Sequence, residues 1–164
     1  MKVVITGGTG FLGLRLARAI LKRGELRGAS GAPEPIDKMI LFDAVTPPER
    51  PDGLDERVDI VSGDIADRDL VMNLISGDSL SVFHFASVVS AGAEQDFDLA
   101  MKVNLDGGIN VLEAARAAPG QARIVFTSSF AVFGGSALPD TVTDETKITP
   151  MTTYGMTKVV NELL

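Results

Sequence analysis

Cysteine is absent from the 164 residues. That excludes disulfides, thiolate nucleophiles and cysteine-ligated zinc or iron–sulfur sites, and it suits a reducing compartment. Long apolar runs are missing too. The most apolar stretches, such as residues 82–86, fall far short of the roughly 18–20 residues a membrane-spanning helix requires. The start, Met1-Lys2-Val3-Val4-Ile5, opens like a signal peptide but breaks into Thr6-Gly7-Gly8-Thr9-Gly10 before a hydrophobic core forms. Positive charge is in deficit: 15 Lys and Arg stand against 22 Asp and Glu, a net charge of −7. An acidic chain repels phosphate backbones. The expected setting is the cytoplasm, with no membrane or nucleic-acid partner and no metal site.

What is present reads as one globular domain at the usual ~150 residues per domain, with 45% apolar and 23% charged residues. Short apolar runs alternate with helix-period segments. Strands are expected at residues 3–6, 39–42, 58–61, 81–85 and 124–127. Helices are expected at 11–23, 70–75, 95–118 and from 153 to 164. The first should bury Leu12, Leu16, Ala17, Ile20 and Leu21, and the long third one Val103, Ile109, Val111 and Leu112. Residues 24–35, rich in Gly, Pro and Ser, and residues 136–150 are expected as loops. This alternation predicts a doubly wound parallel α/β sheet covered on both faces.

The turn Thr6-Gly7-Gly8-Thr9-Gly10-Phe11-Leu12-Gly13 follows the first strand and opens the first helix. Gly8-x-Gly10-x-x-Gly13 and Gly7-x-x-Gly10-x-x-Gly13 both fit dinucleotide-binding patterns. Glycines permit the tight turn and let backbone approach a pyrophosphate, while the helix N-terminus offers N–H groups and positive dipole. Leu14 and Arg15 stand where a Walker A motif needs Lys and Ser/Thr, so that reading fails. Asp43 ends the second long strand. A carboxylate there accepts ribose hydroxyls and repels a 2′-phosphate, which favours NAD over NADP; the alternative is a surface turn residue. Asp64 either contacts the adenine amino group or caps a helix.

Tyr154 is the single tyrosine, and Lys158 follows it by four positions, on one helix face. A phenol is a poor base at neutral pH, and a nearby ammonium favours phenolate. A tyrosine so placed takes the proton of an alcohol while hydride leaves the carbon. Ser129 falls at the carboxyl end of a strand, where such sheets bind ligands. It lacks the elbow sequence of a nucleophilic serine and is suited to orienting the reacting oxygen. His84, the one histidine, falls in a buried strand, with a structural role or a place beside the cofactor as alternatives.

As an ordered set, these residues resemble the N-terminal half of an extended short-chain dehydrogenase/reductase of the NAD-dependent epimerase/dehydratase type. The resemblance also rests on Gly63-Asp64-Ile65, His84-Phe85-Ala86-Ser87 and Val103-Asn104-Leu105-Asp106-Gly107. It implies a Rossmann-type fold and the cofactor NAD. It further implies Ser129, Tyr154 and Lys158 as catalytic residues, with Tyr154 and Lys158 also against the cofactor. Gly7, Gly10, Phe11, Leu12, Gly13, Asp43, Asp64 and Ile65 would contact the adenosine and pyrophosphate half. Phe85, Ala86, Asn104 and Thr127 would line the rest of the groove.

Phe130 and Ala131 follow Ser129 where sugar dehydratases of this family carry Asp-Glu, which disfavours a dehydratase. Epimerases usually have Tyr where Phe133 stands. Residues 128–135, with Leu138-Pro139, Thr143-Asp144-Glu145 and Thr149-Pro150, resemble dehydrogenases that oxidise D-erythronate, a four-carbon sugar acid, with NAD. A nucleotide-sugar 4-epimerase that keeps its NAD is the enzymatic alternative, and a dinucleotide-binding fragment without turnover the non-enzymatic one. The last helix reaches Leu164 with Val159, Val160, Leu163 and Leu164 apolar and no capping glycine. Residues 1–164 are therefore expected to be the NAD-binding part, without the C-terminal substrate-binding part. The resemblance also implies a homodimer packed through the long helix and the Tyr–Lys helix.

Overall fold

In the computed structural model, which describes residues 1–136 and 138–164, five strands form one parallel sheet. They are β1 (Lys2–Thr6), β4 (Lys38–Asp43), β5 (Val58–Ser62), β6 (Leu80–His84) and β7 (Ala122–Phe126), in the order β5-β4-β1-β6-β7. β1 is central: Val4 pairs with Ile40 on one side and Val82 on the other. The order reverses at β1, and that switch point is where open α/β sheets bind ligands. The expected Rossmann-type fold is present.

Alternation along β1 divides the core. Val3 and Ile5 pack with Met39 and Leu41 against Ala17, Ile20 and Leu21 of α1 (Phe11–Arg23). Val4 packs with Ile40, Phe42 and Val82 against Val71 of α2 (Arg68–Leu74) and Val111 and Ala114 of α5 (Gly107–Ala117). Both faces of the central strands are dry, so each reads as a continuous apolar run. α1 ends where Gly24 adopts φ 79° and its N–H bonds Ile20 O, a left-handed stop that glycine takes without strain.

Three expectations need correction. Within residues 24–35, the described chain forms an antiparallel pair, β2 (Glu25–Arg27) with β3 (Pro33–Pro35). The helix expected at 95–118 begins earlier and is broken. α3 (Ser90–Gln95) stops at Asp96, whose carboxylate accepts Leu99 N–H and caps α4 (Phe97–Ala100). A π-helical stretch (Met101–Asp106) then leads into α5. Ile109, expected inside, is 37% exposed, and Leu12 of α1 is 56% exposed. The final helix, α6 (Thr153–Leu163), is as expected, and Thr152 caps it by accepting Gly155 N–H at 3.0 Å. Ala137, in the segment expected as a loop, lies outside the described residues. No helix among the described residues is long and apolar enough to cross a membrane.

Candidate cofactor cleft and catalytic helix

A cleft of about 520 Å³ opens at the carboxyl ends of β1, β4, β5 and β6, a size typical of small-ligand sites. Its walls hold Gly7, Gly10, Phe11 and Leu12 from the glycine turn, Asp43 after β4, Asp64 and Ile65 after β5, and Phe85 and Ala86 after β6. All were expected at a cofactor. Leu12 and Phe11 are exposed because they face this cleft instead of the core.

The glycines divide by role. Gly7 has φ 67°, and a Cβ there would lie 2.9 Å from Ala86 N. At Gly13 a Cβ would lie 2.4 Å from Gly7 O, so this residue lets α1 start against the turn and does not face the cleft. At Gly10 an added Cβ would meet only Gly7 O, at 3.3 Å. Gly10 thus borders open space at the N-terminus of a 13-residue helix whose first N–H groups lack intrahelical partners. This cradle fits a dinucleotide pyrophosphate.

Asp43 is held before any ligand arrives. Its Oδ2 accepts Thr9 N–H at 3.1 Å and the Thr9 hydroxyl at 2.8 Å, and its Oδ1 accepts Ala44 N–H at 2.9 Å. Asp64 is engaged differently. Its Oδ1 accepts Ala66 N–H at 2.9 Å and its Oδ2 pairs with Lys102 of the π-helical stretch at 2.6 Å. The Lys102 ammonium holds the Asp64 carboxyl below the usual carboxylate range.

Two expected liners, Asn104 and Thr127, sit behind the cleft, and so does His84, whose two alternatives were a structural role and a place beside the cofactor. Asn104, buried, spends its side chain on Val88, accepting its N–H at 2.7 Å and donating to its O at 2.9 Å. It also donates to Thr157 Oγ1 at 3.2 Å. It therefore clamps the chain after β6 to α6 instead of lining the cleft. Thr127 presents its carbonyl to Lys158 Nζ at 3.0 Å. His84 is buried, with Nδ1 2.6 Å from Thr6 Oγ1 and its ring stacked on Phe126. Thr6 Oγ1 also accepts Ala86 N–H at 3.2 Å, which ties the His84 ring to the chain leaving β6. Burial first, and the Lys158 charge second, push the His84 pKa down to about 4. The structural role is the one it fills.

α6 carries the second group. Lys158 is 3% exposed, and its Nζ lies 4.8 Å from the Phe126 ring centroid and 5.5 Å from that of Tyr154. Burial lowers its pKa from 10.5 to about 8. Ser129 caps a 3₁₀ turn (Phe130–Val132), its Oγ accepting Ala131 N–H at 3.2 Å, which leaves its hydroxyl hydrogen free to donate. Gly155 joins the two: a Cβ there would lie 2.1 Å from Ala131 O. The residue after Tyr154 thus lets α6 touch the turn that Ser129 begins.

Sequence reasoning missed the supports. Glu94 of α3 accepts Thr153 N–H at 2.6 Å and so caps α6 with Thr152. Asn161 donates to Asn104 O and Thr157 O, both at 2.8 Å. Thr9, inside the glycine turn, carried a signal only in its place beside the cleft.

The chain is 48% identical to a D-erythronate dehydrogenase of Cupriavidus necator and 41% identical to one of Haemophilus influenzae, covering 100% of this chain and 49% of each relative. The crystal structure of a nucleoside-diphosphate-sugar epimerase from Agrobacterium tumefaciens superposes with TM-score 0.85 at 35% identity, over 99% of this chain and 47% of that one. The chain spans about half the length of the curated relatives it matches. The family match covers residues 3–164, from β1 through α6. The chain belongs to the NAD dependent epimerase/dehydratase family, and its dinucleotide cofactor is NAD.

Proposed function

We propose that this chain is the NAD-holding part of a dehydrogenase that oxidises a secondary hydroxyl of a small sugar acid resembling D-erythronate. The observation that carries the proposal is Lys158, an unpaired ammonium among the described residues, buried beside Tyr154 one helical turn away. Burying such a charge destabilises the fold whatever its use, and perturbed groups of this kind cluster at functional sites. The likeness to two D-erythronate dehydrogenases supports the substrate class.

The residues divide the work. Gly10 and the start of α1 receive the pyrophosphate, Asp43 a ribose hydroxyl, and the apolar walls at Ile65 and Phe85 the adenosine and its approach. Bound NAD supplies the hydride acceptor. The Ser129 hydroxyl donates to the substrate oxygen and orients it. Tyr154 takes the hydroxyl proton as the hydride leaves the same carbon, so alcohol becomes carbonyl. Lys158 has one N–H on Thr127 O, which leaves two for the Tyr154 side and the nicotinamide ribose. With a pKa of about 8 it stays mostly charged at neutral pH, a cationic donor beside the Tyr154 ring.

A homodimer through α5 and α6 belongs to the same proposal, supported by the exposed Ile109, Leu163 and Leu164. So does a cytoplasmic setting, which the lack of cysteine suits, with no membrane partner and no nucleic-acid partner, the latter supported by the acidic charge.

Calorimetric titration with NAD, followed by NADH absorbance after adding D-erythronate, tests the proposal. Binding with NADH formation is expected of the whole enzyme. Binding without NADH would give this chain the holding role alone. Turnover of a nucleotide sugar with no NADH released would favour the epimerase. Absence of NAD binding would overturn the proposal.

A further inference from the structure

We propose that Thr9 is the residue that positions Asp43 for the adenosine ribose, and so a determinant of how strongly this site reads the 2′-hydroxyl. This role rests on the NAD reading of the site and adds a residue to it.

An ionised carboxylate offers about four acceptor positions. Thr9 fills two on Oδ2, one with its N–H at 3.1 Å and one with its hydroxyl at 2.8 Å. Ala44 N–H fills one on Oδ1 at 2.9 Å. The acceptor capacity left to a ligand is therefore on Oδ1, the oxygen on the Ala44 side. Asp43 and Ala44 both line the cleft.

Geometry explains why one side chain suffices. Thr9 and Asp43 are 34 residues apart, yet their strands meet here: Thr6 of β1 pairs with Phe42 of β4. Gly8 N–H bonds Phe42 O at 3.0 Å and fixes the turn to that strand. The Thr9 hydroxyl then pins the carboxylate about its terminal torsion. Charge-assisted bonds of this kind are short and strong. Without it only two backbone N–H bonds hold the carboxylate, its terminal torsion is looser in the free protein, and ordering it is charged to binding. Asp43 has no cationic partner among the described residues, and the Thr9 hydroxyl with the backbone N–H groups of Thr9 and Ala44 holds it.

The test compares ADP with 2′-deoxy-ADP by calorimetry on the purified chain, for wild type, Thr9→Val, Thr9→Ala and Thr9→Ser. In the wild type the 2′-hydroxyl should be worth about tenfold in Kd. Thr9→Val and Thr9→Ala should cut that ratio to below about threefold, and Thr9→Ser should restore it. A mere fold defect lowers both affinities and leaves the ratio alone. A ratio unchanged in both truncations overturns the role of Thr9 and leaves the NAD reading standing. A wild-type ratio near one overturns it as well. Failure of the wild type to bind either NAD or ADP overturns the NAD reading, and the Thr9 proposal falls with it.

Discussion

Replacing Lys158 by Met should make this chain more stable at neutral pH. The folded state lowers the Lys158 pKa from 10.5 to about 8, through burial. At about 1.4 kcal/mol for each tenfold, the charged form therefore costs the fold about 3 kcal/mol. Met matches the stem in length and carries no charge, but it forfeits the bond to Thr127 O, about 1 kcal/mol. A net gain of about 2 kcal/mol results below pH 8. The sign with pH is fixed. Between about pH 8 and 10.5 the unfolded chain holds the lysine proton and the folded chain does not, so wild-type stability rises with pH across that window. The advantage of the Met variant should vanish over the same window. Urea unfolding of both proteins at several pH values measures the difference, in which titrations common to the two cancel. A Lys158→Met variant less stable at pH 7, or a difference independent of pH, would refute the reasoning. The variant should still bind NAD more weakly, since a cationic donor is gone.

Two more perturbations probe folding and the site's assembly. The His84 pKa drops from 6.5 to about 4 in the folded chain, so its neutral form stabilises the fold above pH 6.5. That stability, about 3 kcal/mol at most, is lost as pH falls from 6.5 to 4. His84→Asn, which offers an acceptor to Thr6 Oγ1, should flatten this acid limb in a denaturation series; an unchanged limb would count against burial as its cause. Gly155→Ala sets a Cβ 2.1 Å from Ala131 O and forces α6 away from the Ser129 turn. It should destabilise by about 1–3 kcal/mol, and a thermal melt indistinguishable from wild type would show that the contact is looser than described.

The five strands were legible because each is a short apolar run, and the parallel arrangement because such runs lie on strands buried on both faces. The exceptions share a cause: the hydrophobic pattern was outvoted by backbone hydrogen bonding. Pro33 and Pro35 read as loop residues, yet they flank Glu34, which pairs with Leu26 in a strand of three residues. Asp96 falls inside a helical period, but its carboxylate caps Leu99 and ends one helix to begin another. The inward set expected at Val103, Ile109, Val111 and Leu112 assumed one unbroken phase. The π-helical stretch widens the turn and rotates the face that α5 presents. Asn104, Gly107, Gly108 and Asn110 take the buried positions, and Ile109 turns outward.

The cleft was more legible than its supports, and the difference is one of range. Glycine spacing and the four-residue step from Tyr154 to Lys158 are local, so sequence displays them directly. The bond from Thr9 to Asp43 joins residues 34 apart, and the bond from Thr153 to Glu94 joins residues 59 apart. Neither pair has a pattern to find until the sheet and helices bring it together. Asn104 shows the converse. Resemblance placed it against the cofactor, but its side chain bonds Ser87, Val88 and Thr157, which ties the chain leaving β6 to the helix of Tyr154. Lys158 joins the two cases. Its spacing from Tyr154 was visible, while its burial against Phe126 and the carbonyl of Thr127, 31 residues away, was not. That burial lowers its pKa toward the working range of a proton-handling site and lowers the stability of the fold by the same act. A residue kept at such a cost is better explained by the proton chemistry proposed for Tyr154 than by packing, because a methionine would pack as well.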